Sequence, residues 1–151
     1  GTHHQISLAV LRVPGIYAFD REGGDPRERL QRGAPLLAPQ DDVHTNHIHA
    51  DDLARACVAA LWRAAPQRAY HVNDDSVLTM SEHFDAVADA FGLPRSPRLS
   101  RIEMAERVSP MQMSFMSESR QLINTRMKRE LGLRLRYPTV LAAIEELPEL
   151  P

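Results

Sequence analysis

Residues 43–61 read VHTNHIHADDLARACVAAL, with three histidines crowded into six positions directly ahead of two aspartates and an apolar run. Residues 45–50 alternate polar and apolar loosely, as an extended segment does. Asp51 or Asp52 is placed to cap a helix, its carboxylate accepting backbone N–H groups that lack an intrahelical partner. Leu53, Ala56, Cys57, Ala60 and Leu61 then recur at the spacing of one helix face. The stretch therefore predicts a strand that feeds a capped helix. If residues 43–50 are extended, His47 and His49 share a face with Asp51 following, which is the donor set of a two-histidine, one-carboxylate metal site. The plainer reading packs one histidine beneath a sheet, leaves the others solvated and uses the aspartate as a cap.

Upstream, Leu8 to Val13 is a short apolar run stopped by Pro14 and Gly15, which predicts a buried strand. Gly23 and Gly24 mark a loop, and Asp25-Pro26 supplies the N-cap and first-turn proline of a short helix ending near Gly33. A long connection leaving a buried strand is where α/β proteins commonly bind ligands. Downstream, Ala69 to Val72 predicts a strand ended by Asn73, Asp74 and Asp75, whose side chains favour turns. Thr79 to Glu82 has the form of a capping box, and Phe84, Val87, Ala88 and Phe91 make the stripe of a helix that stops at Gly92. Met111, Met113 and Met116 either line a cleft or fill a core. Asn124 is placed to cap a helix closed by Gly132, and Val140, Leu141, Ile144 and Leu147 mark a last helix after Pro138. Strands alternate with helices, the mark of an α/β protein, but they are too few for a complete doubly wound sheet.

At 151 residues the chain has the size of a single domain, residues 1–151. A charged fraction of 25% and a hydrophobic fraction of 43% match ordinary globular usage. The net charge of −2 disfavours nucleic acid as a partner. No apolar run reaches the ~18 residues of a membrane span. The single cysteine, Cys57, rules out a disulfide framework and fits a reducing cytoplasm. Residues 1–5, GTHHQ, are either an expression remnant or the end of a preceding helix. Ser114, Ser117 and Ser119 lie in no strand-turn-helix elbow, so hydrolysis is not indicated.

Four pieces in order, LRVPGIYAFDR, NHIHADDLARACVAAL, AYHVNDDSVLTMSEHFDAVADAFGLP and SFMSESRQLINTRMKRELGLRLRYPT, resemble the C-terminal half of the extended short-chain dehydrogenase/reductases, the NAD-dependent epimerase/dehydratase group. The family's LR-x-x-x-I-Y-G strand is similar to Leu11, Arg12, Ile16 and Tyr17, with Ala18 in place of the glycine. Its I/V-H-V-x-D pattern is similar to Ile48, His49, Ala50, Asp51 and Asp52, and accounts for the histidine and aspartate without a metal. The resemblance implies a partial Rossmann-like α/β fold that acts on a small-molecule substrate with NAD or NADP as cofactor. It implies Pro14 and Gly15 on the cofactor side, and Arg12, Ile16, Tyr17 and Arg136 on the substrate side. Each residue has a plainer role open to it. Arg12 could pair with an aspartate inside the protein, Tyr17 could be core, and Arg134 and Arg136 could be solvated charges.

The family's chemistry also needs residues this sequence lacks. A dinucleotide is bound through a glycine-rich turn, because glycines let backbone approach the pyrophosphate at a helix N-terminus. The glycines at 1, 15, 23, 24, 33, 92 and 132 do not have that spacing. The family's catalytic tyrosine is followed four residues later by a lysine. Tyr17, Tyr70 and Tyr137 are followed at that distance by Arg21, Asp74 and Leu141, and Lys128 is the only lysine. The resemblance thus implies a chain that begins after the family's catalytic helix, carries no catalytic residue or cofactor by itself, and is inactive alone. Gly15 and Thr45 stand where nucleotide-sugar epimerases place an asparagine and an arginine, which argues against a nucleotide-sugar substrate. The alternative is a stand-alone interaction or dimerisation module, forming a homo-oligomer through apolar surface and an open strand edge.

Overall fold

The computed structural model describes residues 6–148. The two readings of GTHHQ fall outside the described residues. The elements in chain order are β1 (Ala9–Arg12), β2 (Gly15–Tyr17), α1 (Pro26–Gln31), β3 (Leu36–Leu37), β4 (His44–Thr45), β5 (His47–His49), α2 (Ala50–Arg63), β6 (Arg68–His71), β7 (Leu78–Thr79), α3 (Met80–Phe91), β8 (Arg98–Leu99), α4 (Arg101–Arg107), α5 (Pro110–Ser117), α6 (Thr125–Glu130) and α7 (Val140–Glu145). The fold is α/β, and its strands form four two-stranded ladders. Parallel pairs join β1 to β6, β2 to β5 and β3 to β8, while β4 and β7 are antiparallel.

The helices begin and end where local chemistry dictates. Asp25 caps α1 through Arg27 N–H ahead of Pro26 at the first turn. Thr79 and Glu82 cap each other's backbone at the start of α3, and Gly92 closes it with a φ of 64°. The helix α2 departs from expectation, because its cap is neither aspartate. His49 keeps extended geometry and its Nδ1 accepts the Asp51 N–H at 3.1 Å. Asp52 is then free to accept the backbone N–H groups of Arg136 and Tyr137. Asn124 likewise stands at the start of α6 without capping it. Its side-chain amide donates instead to the Asn73 carbonyl and to Asp75 Oδ1, both at 2.9 Å. The methionine-rich stretch is helical as α5, capped by the reciprocal pair Ser109 and Gln112.

Packing divides the interior into three cores. Under β1 and β6, Ile48, Ala56, Tyr70, Val72, Met127 and Leu131 bury one another. Between β2, α1, α3 and α7 lie Tyr17, Phe19, Val87, Ala88, Tyr137 and Val140. Leu37, Met104 and Met116 form the third, with Met113 against them, so two of the three methionines singled out pack as core while Met111 stays exposed. The first strand is not fully buried as expected. Ala9 and Leu11 face the core while Val10 and Arg12 face out, because the pleat alternates and only one face of β1 is covered. The helix α2 is similarly one-sided: Ala56 is fully buried, but Cys57, Val58, Leu61 and Trp62 are exposed.

Candidate functional site

The β2–β5 pair builds the site. The register sets Gly15 opposite His47 and Tyr17 opposite His49, and alternation turns these four to one side. Gly15 has a steric reason: a Cβ there would stand 3.2 Å from His47 Nδ1, so a glycine leaves room for the ring. From α3, His83 meets His47 face to face, with ring centroids 3.7 Å apart. Tyr17 sets its edge toward His49 at 5.2 Å and His83 at 6.0 Å, and His49 lies 4.1 Å from Tyr137.

Burial governs the electrostatics of this cluster. It lowers His47 to about 4 and drives His83 well below the ordinary histidine range, with the neighbouring His47 adding to the effect. Asp74 is raised to about 6, again chiefly by burial. Its backbone N–H holds the His47 carbonyl at 2.8 Å and its Oδ1 accepts the Ser76 N–H, leaving Oδ2 buried with no partner. The Tyr17 phenol is pushed upward by burial first and then by Asp74, Asp52 and Tyr137. Burial therefore keeps this phenol protonated at neutral pH. Its hydroxyl and His83 Nδ1 are buried without hydrogen-bond partners.

Two cavities adjoin the cluster and share Gly15, Arg29 and His47. The first, about 290 Å³, is also walled by Ile16, Tyr17, His83 and Phe84. The second, about 360 Å³, adds Met80, Val108, Phe115 and Met116. Both fall near the size range of small-molecule sites. Of the residues expected at a site, Gly15, Ile16 and Tyr17 come together here, while Pro14 lines neither cavity. Arg12 stands elsewhere, exposed on β1 and 3.5 Å from His71, beside a cavity shared with Arg68, Arg126 and Arg129. Arg136 lies over the Tyr137 ring at 5.3 Å and pairs with Glu146 at 3.4 Å, and it lines neither of the two cavities. Among the described residues no three His, Cys, Asp or Glu side chains are grouped to hold a metal. No helix among them is long and apolar enough to cross a membrane.

Sequence reasoning missed the residues that support the site. Asp52, fully buried, accepts the Arg136 and Tyr137 N–H groups at 2.9 Å each and pairs with Arg55 at 3.0 Å. Asn46 accepts the Leu122 N–H and donates to the Arg120 carbonyl, while Asn73 donates to the Leu122 carbonyl. These side chains hold the segments around residues 120–124 and 136–137 against the strand ends.

No family model matches the chain. The solved structure of a functionally unknown conserved protein from Silicibacter pomeroyi superposes with a TM-score of 0.76 at 32% identity, over 91% of this chain and 47% of that one. The human epimerase family protein SDR39U1, solved with NADPH, superposes at 0.74 with 20% identity over 91% and 47%. UDP-glucose 4-epimerase of Thermotoga maritima, solved with UDP-glucose, superposes at 0.66 with 16% identity over 93% and 45%. The chain carries part of the extended short-chain dehydrogenase/reductase fold. It spans about half the length of these structures. In sequence, 111 residues are 26% identical to 3-methylorcinaldehyde synthase TropA of Talaromyces stipitatus, covering 70% of this chain and 4% of that protein.

This epimerase/dehydratase fold implies a dinucleotide, and the residues present do not fit its phosphates. Among the described residues the helices that follow strands directly, α2, α3 and α4, start at His49, Thr79 and Ser100 without a glycine. The one glycine pair before a helix, Gly23 and Gly24, has its N–H groups committed to Glu28 and to the Arg21 carbonyl.

Proposed function

We propose that this chain is the C-terminal, substrate-binding portion of an NAD(P)-dependent epimerase, dehydratase or reductase, and that it is inactive by itself. What carries the reading is the cleft at Gly15, Ile16 and Tyr17, built along a parallel strand pair in a fold otherwise shared with that group. Pro14 and Gly15 would border the nicotinamide side, and Ile16 and Tyr17 the substrate. The proposed roles of Arg12 and Arg136 would need a substrate reaching beyond the two cavities. The glycine-rich turn and the tyrosine–lysine pair would come from polypeptide outside these residues.

Titration of the chain with NADH and NADPH, followed by nicotinamide fluorescence, tests this. No saturable binding is expected from the chain alone. The reading frame upstream of Gly1 should encode both missing motifs, and a start codon there with neither would overturn the reading.

A second reading, a self-associating module, is favoured by one observation. Val58, Leu61 and Trp62 form an exposed apolar face on α2, with Leu61 and Trp62 more than four-fifths accessible.

A further inference from the structure

Arg29, on α1, lines both cavities of the cleft and forms no salt bridge among the described residues. Its Nη2 donates to the Pro35 carbonyl at 2.9 Å, its guanidinium lies 5.5 Å from the Phe84 ring, and its Nε is buried without a partner. A partly buried cation satisfied only by neutral groups is costly to keep unless something anionic joins it. The carboxylates that line the two cavities, Asp25, Glu28 and Glu118, each have a partner other than Arg29. Asp25 pairs with Arg27 at 2.7 Å, Glu28 accepts the Gly23 N–H at 3.2 Å, and Glu118 pairs with Arg120 at 3.0 Å. The other cationic neighbour, Arg32, repels Arg29, and burial and that repulsion both hold its pKa below the ordinary arginine value. The protein therefore brings to this cleft a guanidinium fork that it does not itself neutralise. Guanidinium matches the paired oxygens of carboxylate and phosphate better than any other side chain.

The adjoining cavity, which Arg29 also lines beside Thr45, Asn46, Gln112 and the Glu118–Arg120 pair, has an apolar side. Met80, Val108, Phe115 and Met116 line it, and Phe115 is largely exposed although apolar. Apolar walls on one side and an unpaired cation on the other match a ligand with two unlike ends. Resting on the reading of this cleft as the substrate site, we propose that Arg29 anchors a carboxylate or phosphate group of a substrate whose apolar body lies along Met80, Val108, Phe115 and Met116.

The test uses the isotope-labelled chain and three probes of similar apolar size: phenyl phosphate, phenylacetate and neutral 2-phenylethanol. Amide and arginine side-chain NMR shifts report binding, and no dinucleotide is required. Both anions are expected to perturb Gly15, Arg29 and His47 and to bind at least tenfold more tightly than 2-phenylethanol. Arg29→Gln should remove that advantage and leave the neutral probe unchanged, while Arg29→Lys should keep part of it. The stronger of the two anions identifies which group the site takes. Equal affinity for charged and neutral probes, or anion binding unchanged in a folded Arg29→Gln, would overturn the role of Arg29 while leaving the cleft in place. Absence of any perturbation around Gly15 and His47 by all three probes would overturn the cleft reading as well.

Discussion

The imidazole of His47 lies flat on that of His83, with ring planes 5° from parallel. Two cations cannot share that arrangement, and burial holds both rings neutral, His47 to about 4 and His83 well below its ordinary value. The unfolded chain takes up the same protons near pH 6.5. Their contribution to stability is therefore fully present above about pH 6.5 and is lost as pH falls toward 4, because protons then favour the unfolded state. His83→Phe keeps an aromatic ring in the stack and removes one titrating group. Urea denaturation should show it within about 1 kcal/mol of the native chain at pH 7.5 and more stable than the native chain at pH 5. An unchanged pH slope would contradict the neutral stack.

Asp74 acts with the opposite sign. Its carboxyl is held up to about 6 by burial, so the folded chain retains a proton that the unfolded chain releases near pH 4. Stability from this group is present below about pH 4 and is lost as pH rises through 6. Asp74→Asn keeps an oxygen for the Ser76 N–H and removes the buried charge. We expect a gain of about 1–2 kcal/mol at pH 7.5, less than the full linkage because the new amide also needs partners, and little change at pH 4. Denaturant midpoints at the two pH values check it.

The strand-to-helix reading of residues 43–61 and the ends of α1 and α3 were legible because they rest on local chemistry. A proline in the first turn, a reciprocal Thr79–Glu82 cap and a glycine at positive φ act within one turn of helix. The tasks of Asp52, Asn46 and Asn124 were not legible, since each is defined by a partner 49 or more residues away. The same local rules that mark a capping aspartate also describe Asp52, and only the arrival of Arg136 and Tyr137 separates the two roles. Arg29 was hidden similarly. It looks like an ordinary helix-surface arginine until α1 packs its side chain against Phe84 and the wall of the cleft. Exposure of Val10 and Leu61 could not be read from periodicity, which shows which face is apolar but not what covers it.

Asp52 should be the most sensitive single position outside the cleft. Its carboxylate is the acceptor for two backbone N–H groups and for the half-exposed Arg55 guanidinium, so Asp52→Ala leaves the two N–H groups without it in a buried setting, while Arg55 keeps the Arg134 carbonyl. Leaving those two backbone donors unsatisfied costs about 2–4 kcal/mol. Asp52→Asn retains one acceptor oxygen and turns a donor toward an N–H, costing about 2 kcal/mol. Hydrogen exchange should show the Arg136 and Tyr137 amides losing protection in both variants before the α3 amides do. Uniform loss across the chain would show that the residue supports the whole fold, not this segment.

The exposed face of α2 separates the two readings of the protein. Leu61 and Trp62 are exposed at 82% and 84%, so replacing both with charged residues removes almost no packing inside the chain. Leu61→Glu with Trp62→Lys should change stability by less than about 1 kcal/mol, as surface substitutions do. If the chain self-associates through this face, sedimentation velocity should show oligomers in the native chain and monomers in the double variant. If the face is instead covered by other polypeptide in a longer enzyme, the native chain should be monomeric or aggregate without defined size. Joining it to the upstream polypeptide should then protect the Val58 and Trp62 amides from exchange. A discrete dimer that survives the double substitution would contradict both uses of this face.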